Sequence, residues 1–401
     1  MDIQEKIQKA QMWMGKHQIE GWLLYDWAGS NRLALEFLSE PLGGYSRRCF
    51  YWIPAKGEPI KVVQKIEAAF ALKNLPGSKA VYFSSEDLEK ALANILKGSS
   101  KVAMEYSPKA ALPYTSKVDA GTVDLIRSLG CEVVSSAYLI QNFCGILDAQ
   151  GFEEHKASMA VLEKSLQLAK ACIEEGLKKG QLPNEWQVQE VINKHFELEE
   201  CETVHPPIVA TRENAANPHY FPTKEKSADL KIGDLLLIDL FCRKKRKSGI
   251  YADITNMFVI GKAPNERQLE IFNLVKKAQS AGLDLIQERL EKKEKICGYE
   301  VDSAVRLVIE NAGYGDQFCH RTGHHIESKL HGDGAHLDSV ESHDDRPLLP
   351  DTCFSVEPGV YIEGEIGVRL ECDVFIDKEH QMHITGGLQK ELPSIGMPAR
   401  S

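Results

Sequence analysis

DLLLIDLF, residues 234–241, has the composition of a buried strand, yet Asp239 sits inside it. Burying an isolated carboxylate costs on the order of several kcal/mol, so Asp239 needs a partner. A basic run, RKKRK at 243–247, follows, and a second strand-like stretch at 250–260 carries Asp253. The midpoint between the two aspartates is residue 246, inside the basic turn. An antiparallel hairpin centred there sets Asp239 and Asp253 opposite each other, with Cβ atoms about 4.5–5.5 Å apart. Carboxylates that close require a shared proton or a cation. The basic run itself reads as a solvated hairpin tip rather than a nucleic-acid-binding or targeting patch, because strands flank it.

The same construction recurs further along. CFSVEPGVYI at 353–362 carries Glu357, GVRLECDVFI at 367–376 carries Glu371, and their midpoint is Gly364 in the turn IEGEIG. On the second strand Val368, Leu370, Cys372 and Val374 share one face, while Arg369, Glu371 and Asp373 share the other. For either hairpin alone, a solvated polar face or a structural ion pair is a fair reading. Two hairpins of one design weigh against it. Between them lies HRTGHHIESKLHGDGAH, residues 320–336, with five of the thirteen histidines of the chain. Oxygen ligands in excess with one imidazole suit manganese, cobalt, iron or zinc better than a thiolate-rich zinc site. Four carboxylates exceed the charge of one divalent ion, whereas two ions about 3.5–4 Å apart balance it and form a hydrolytic centre.

The rest of the sequence supplies the setting. The 401 residues are 43% hydrophobic and 26% charged, with net charge −10, which suits two or three soluble domains and argues against a broad nucleic-acid-binding face. Residues 1–18 have no apolar core of the secretory type, and no apolar run approaches the ~20 residues that span a bilayer. The expected location is therefore cytoplasmic, with no membrane partner. The ten cysteines include no CxxC pair. Residues 1–147 alternate strand-like stretches (21–27, a hairpin at 49–64, 101–106) with helices at 87–97 and 123–129, an α/β domain. A boundary near 148–151 precedes a long amphipathic helix carrying Met159, Leu162, Leu166, Ala169, Ile173 and Leu177 on one face, ended by Gly180 and Pro183. Helices at 185–198, 266–293 and 301–312 accompany the strands of residues 148–401.

With these stretches in view the chain resembles the pita-bread metallopeptidases, and within them the Xaa-Pro dipeptidase and aminopeptidase P branch. The motifs are YSRRCFYWIPAKGEP (45–59), IVATRENAANPHY (208–220), LLLIDLF and GIYADIT (235–241, 249–255), HRTGHH (320–325), FSVEPGVYI (354–362) and GVRLECD (367–373). The resemblance implies a creatinase-like α/β N-terminal domain and an α+β pita-bread catalytic domain, its antiparallel sheet covered by helices. It implies two divalent ions, manganese first among manganese, cobalt, zinc and iron. Asp239 would hold one ion, Asp253 and Glu371 would bridge both, and His324 and Glu357 would hold the second. A water activated between the ions would be the nucleophile, with Glu357 as proton acceptor. His219 matches a substrate-side histidine, His331 one that stabilises the tetrahedral intermediate, and Arg369 an orienting or substrate-side arginine.

The implied substrate is a peptide with proline second, and a homodimer is the family's habit. Three departures stand out: the Asp239–Asp253 spacing is about three residues longer than usual, Asn256 replaces an arginine, and Glu327 replaces a glycine beside the expected pocket. Arg346 is the candidate to capture a free proline carboxylate. Competing expectations are a methionine aminopeptidase, a creatinase-like or other hydrolase with a non-proline substrate, and a non-catalytic pita-bread protein that binds peptides or proteins. The large N-terminal domain weighs against the first. Retention of all five ligands weighs against a metal-free creatinase-like enzyme and against the non-catalytic protein.

Overall fold

The computed structural model describes residues 1–396 and divides into two compact units, Met1–Cys144 and Gly145–Ser401. In the first, the strands are β1 (Gly21–Asp26), β2 (Cys49–Pro54), β3 (Ile60–Gln64), β4 (Ser78–Tyr82), β5 (Lys101–Met104) and β6 (Glu132–Ser135). The helices are α1 (Ile3–Lys16), α2 (Arg32–Leu38), α3 (Ser85–Ile95), α4 (Ala120–Ser128) and α5 (Ala137–Ile140). The sheet order is β4-β3-β2-β1-β5-β6, with β2 antiparallel to both neighbours and the other pairings parallel. Alternation along the strands splits the core in two. Trp22, Leu24, Tyr51 and Ile53 pack against α1, α2 and α5, while Leu23, Tyr25, Phe50 and Trp52 pack against α3 and α4. Helix α3 starts two residues before the expected 87, because Ser84 and Asp87 form a reciprocal capping box.

The second unit begins with α6 (Ala149–Lys179), capped by Asp148 and ended at Gly180, and α7 (Glu185–Leu198). Strands β7 (Cys201–Glu202), β8 (Ile208–Thr211), β9 (Leu235–Lys244) and β10 (Ala252–Ile260) follow, then α8 (Glu266–Glu291) and α9 (Gly298–Asn311). The remaining strands are β11 (His325–Ile326), β12 (Thr352–Val356), β13 (Gly359–Ile362), β14 (Ile366–Arg369), β15 (Cys372–Ile376), β16 (Met382–Thr385) and β17 (Ser394–Ile395). One sheet runs β17-β10-β9-β7, with β8 also on β9. A second runs β11-β12-β15-β16, and β13 pairs with β14 alone. Even-numbered apolar residues of β9 and β10 pack on α6 and α7, and Leu235, Leu237, Met257 and Val259 pack on α8 and α9. Asp239 and Asp253 share the odd-numbered face.

The first hairpin differs from expectation in register. Asp253 lies opposite Phe241 and Asp239 opposite Thr255, so the aspartates are diagonal neighbours rather than a direct pair. The reversal is built on a turn from Arg246 to Gly249, centred one residue later than the midpoint of the aspartates. Moving the centre by one residue moves every partner by two. Arg243 and Lys244 extend the strand instead of forming its tip. Arg243 pairs with Glu202 (Nε to Oε1 2.8 Å), Lys244 with Glu199 (3.0 Å) and Arg246 with Glu154 (2.6 Å). Much of the positive charge of the run is thereby neutralised within the unit.

The second hairpin keeps its centre at Gly364 but splays where the glutamates sit. Pro358 has no N–H to give to the ladder. The Glu357 N–H turns to the carbonyl of Thr322 (2.7 Å) and the Glu371 N–H to that of Thr255 (3.2 Å). The break thus stitches the hairpin to β10 on one side and to the histidine segment on the other. Gln279 of α8, 4% exposed, fills it by donating to the carbonyls of Val356 (3.0 Å) and Leu370 (3.1 Å). Gln279→Leu removes both hydrogen bonds to these carbonyls, which predicts a loss of about 1–3 kcal/mol in urea unfolding. An unchanged unfolding midpoint would show that the break does not depend on Gln279.

Candidate metal centre

Buried acids converge where these elements meet. Asp253, His324 and Glu371 offer ligand atoms that all lie within 4.8 Å of one another. The Nε2 of His324 is 3.5 Å from Asp253 Oδ2 and 3.4 Å from Glu357 Oε1. The Nδ1 of His324 faces the carbonyl of His325 at 3.3 Å. A carbonyl only accepts, so Nδ1 carries the proton and Nε2 turns a lone pair towards the two carboxylates. Burial, followed by the charge of His331, holds the imidazole pKa well below its ordinary value, so a proton on His324 does not bridge these groups.

The backbone of this segment is fixed closely. His324 N–H donates to Ser355 Oγ (3.0 Å), and Ser355 Oγ donates to Glu357 Oε1 (3.1 Å). A Cβ on Gly323 would stand 2.0 Å from the carbonyl oxygen of Ser355, so only glycine permits the approach. Asp302 of α9, fully buried, accepts from Thr322 N (2.9 Å), Thr322 Oγ1 (2.6 Å) and Ser339 N (2.9 Å).

Arg369 orders the other side. It donates to Asp239 Oδ2 (2.5 Å), Thr255 Oγ1 (3.0 Å) and Tyr361 Oη (2.9 Å). Thr255 Oγ1 in turn donates to Glu371 Oε2 (2.7 Å), and Tyr361 Oη donates to His320 Nε2 (2.8 Å). The far nitrogen of His320 donates to the Arg321 carbonyl (2.7 Å), and burial, aided by Arg369, pushes the His320 pKa down to about 3. The Asp253 N–H donates to Asp373 Oδ2 at 2.8 Å.

What these contacts leave open is informative. Asp239 Oδ1, Asp253 Oδ1 and Glu371 Oε1 are buried without a hydrogen-bond partner among the described residues. Burial first, then the charges of neighbouring carboxylates, pushes Asp253 and Glu371 well above the ordinary carboxyl range. Burial likewise moves Glu357 up to about 7, against the pull of Arg369, and raises Asp239. Unpaired oxygens from three acids, beside a neutral imidazole lone pair, form a donor set that fits divalent cations.

All eight residues expected from the sequence line one cavity of about 620 Å³: His219, Asp239, Asp253, His324, His331, Glu357, Arg369 and Glu371. The His331 ring packs edge-on to His324, with centroids 4.3 Å apart. His219 is exposed on a segment organised by Glu185 of α7. That buried carboxylate accepts from Thr211 N (2.8 Å), Asn214 Nδ2 (3.0 Å), Tyr220 Oη (2.6 Å) and Ala228 N (2.8 Å). Sequence reasoning missed Glu185 and Asp302, which look like helix-face acids, and also Thr255 and Tyr361. Thr255 had a signal, since it shares the strand face of Asp253.

Two expectations are corrected. Arg346 is fully buried and spent on Asp344 (Nε to Oδ1 2.9 Å, Nη2 to Oδ2 2.7 Å) and on the carbonyls of Asp333 and Gly334, so it cannot receive a substrate carboxylate. Glu327 turns to Lys329 (3.3 Å) and lies outside the residues that line the cavity.

Residues 153–378, more than half of the chain, match metallopeptidase family M24, and the chain belongs to that family. It is 33% identical over 193 residues to a Xaa-Pro dipeptidase from Lactobacillus helveticus, covering 48% of this chain and 45% of that protein. It is 28% identical over 402 residues to a Xaa-Pro dipeptidase from Pyrococcus horikoshii, covering 96% and 98%. For most of the curated relatives the matched stretch spans about half of their length or less. Among solved structures, the dipeptidase PepE from Mycobacterium ulcerans shares the fold with a TM-score of 0.68, 20% identity and 98% coverage of both chains.

Asp253→Asn removes one of the crowded charges. In chelator the variant is expected to melt no lower than the wild type. Manganese at a hundredfold excess over its Kd should stabilise the wild type by about 2.7 kcal/mol and the variant far less. Equal stabilisation of both would remove Asp253 from the ligand set. Arg346→Met takes the guanidinium away from the buried Asp344 carboxylate, so urea unfolding should show a loss of about 3–5 kcal/mol. A loss below about 1 kcal/mol would contradict a structural role for that pair.

Proposed function

We propose that this chain hydrolyses Xaa-Pro peptide bonds, using two divalent ions held by Asp239, Asp253, His324, Glu357 and Glu371. The observation that carries the reading is that buried oxygens of Asp239, Asp253 and Glu371 have no hydrogen-bond partner among the described residues, in a cavity that His324 also lines. Family membership and the Xaa-Pro dipeptidase names of the relatives support the proline specificity. Ions bound here would supply Lewis acidity towards water and the scissile carbonyl.

The chain's own groups do the rest. Glu357, which lines the cavity with its Oε1 3.4 Å from His324 Nε2, is placed to take a proton from the attacking water and return it to the leaving proline nitrogen. That nitrogen, like any amide leaving group, must gain a proton as the bond breaks. His331 and His219 stand in the cavity wall, placed to donate to the oxygen of a tetrahedral intermediate and to the substrate. Arg369 and Thr255 hold Asp239 and Glu371 in position. Manganese is the first candidate among the ions, a creatinase-like fold is proposed for the first unit, and a homodimer for the assembly.

The test is turnover. Chelated protein should cleave no Xaa-Pro compound, and activity should return on adding manganese, cobalt or zinc. Failure of every metal to restore cleavage of any Xaa-Pro dipeptide or tripeptide would overturn the proposal.

A further inference from the structure

Two cysteines meet at the edge of the first sheet of the second unit. Cys201 of β7 lies opposite Lys244 of β9, and Cys242 is two residues back along β9. A separation of two keeps both side chains on one face of the sheet, so they are diagonal neighbours across the ladder. Both belong to the apolar core between this sheet and helices α6 and α7, with Cys201 6% exposed and Cys242 fully buried. Neither thiol lines the metal cavity, so the pair is independent of the Xaa-Pro reading. Parity sets it apart from Cys353 and Cys372, which also sit on neighbouring strands. Cys353 of β12 faces Phe375, three residues from Cys372 on β15, so those two thiols point to opposite faces and into different cores.

The surroundings of Cys201 make it the more reactive of the two. Its S–H donates to the carbonyl of Glu199 at 3.6 Å, and the ammonium of Lys244 donates to the same oxygen at 2.8 Å. The cation therefore stands beside the sulfur. A hydrogen bond from the Cys242 thiol, which outweighs burial, and then the charge of Lys244 draw the Cys201 pKa below its ordinary value. The same contact, followed by burial, pushes the Cys242 thiol well above its own. A thiolate favoured by a cation is the sulfur that an oxidant meets first, and a neighbouring thiol can then close on it.

We propose that Cys201 and Cys242 are a reversible disulfide pair, oxidised by hydrogen peroxide, that fastens β7 to β9. The Cys201 thiolate attacks one peroxide oxygen, the O–O bond breaks, and the departing hydroxide takes up a proton as water. Cys201 is then a sulfenic acid. Cys242 attacks its sulfur, the S–O bond breaks, and the hydroxyl leaves with the Cys242 proton as a second water. The two thiols give up two electrons to the peroxide, and a dithiol reductant returns them. Peroxide is small enough to reach a sulfur that is only 6% exposed. Diagonal neighbours stand about 7–8 Å apart, and a disulfide draws the Cα atoms to about 5.5–6 Å. The movement falls on β7, which has two residues and pairs with β9 alone. The bond would close a loop of about 40 residues that contains His219 and Asp239, and closing a loop of that length restricts the unfolded chain.

The experiment treats the folded full chain with hydrogen peroxide, alkylates the remaining thiols and maps the digest by mass spectrometry without reductant. A peptide pair joined through Cys201 and Cys242 is expected, two hydrogens lighter than its parts and released by dithiothreitol. The oxidised wild type should melt about 5–10 °C above the same sample after dithiothreitol. Cys242→Ala should show no such rise, and should hold a sulfenic acid on Cys201 that a 1,3-diketone captures. In Cys201→Ala, capture at Cys242 should be about tenfold slower or more. A wild-type map without the joined pair would overturn the proposal, and because it needs no substitution it decides the question even where a variant misfolds. A joined pair with no rise in melting temperature would overturn the fastening of β7 to β9, and equal capture in the two variants would overturn the assignment of Cys201 as the attacking sulfur.

Discussion

Like charges crowded inside a folded unit are the constraint on which the rest of the second unit depends. Asp239 and Asp253 of β9 and β10, and Glu357 and Glu371 at the break in the second hairpin, are drawn to one cavity. No chain would gain stability by gathering them, because each must shed water and face the others. The molecule meets that cost with one buried arginine and the hydroxyls of Thr255 and Ser355, and still leaves three carboxylate oxygens without hydrogen-bond partners among the described residues. Such an imbalance marks a site prepared for something positive, in the same way that strained or unsatisfied groups concentrate where function is paid for in stability.

The scaffold around the acids is built to hold that imbalance. The second hairpin gives up two ladder positions at Pro358 so that Glu357 and Glu371 can point into the cavity, and Gln279 repairs the vacated carbonyls from α8. The histidine segment is pinned from two directions: by Asp302, and by Ser355, whose hydroxyl accepts from His324 N–H and whose carbonyl Gly323 approaches closely. The relay from His320 through Tyr361 to Arg369 then ties this segment to Asp239 on the other sheet. Metal ligands oriented by a second layer of hydrogen bonds are the general pattern in such sites. Here that layer carries structural load before any ion arrives.

Much of this was legible in the sequence because strand parity is strict. The pairing is shifted by two residues, an even number, so Asp239 and Asp253 stay on one face although they are not directly opposed; a shift of one would have put them on opposite faces. Gly364 marked the second turn correctly because that hairpin is symmetric about it. The first hairpin is not symmetric: Arg243 and Lys244 find acids on neighbouring elements and stay in the strand, which no local pattern announces. For the same reason Arg346 was misread as a substrate ligand. Its partner Asp344 is two residues away in sequence, and only the fold shows that both are sealed inside. Glu185 was illegible because an acid in the first turn of a helix looks like a dipole partner, and its five donors come from residues 26 to 43 positions further along.

The central claim is that the carboxylate crowding exists to hold a pair of divalent ions. Anomalous X-ray scattering at the manganese edge, from crystals of manganese-loaded protein, tests it most directly. The expected result is two peaks about 3.5–4 Å apart. Both should lie within coordination distance of Asp253 and Glu371, one of them also next to His324 and Glu357 and the other next to Asp239. A loaded crystal with no peak among these side chains would contradict the claim.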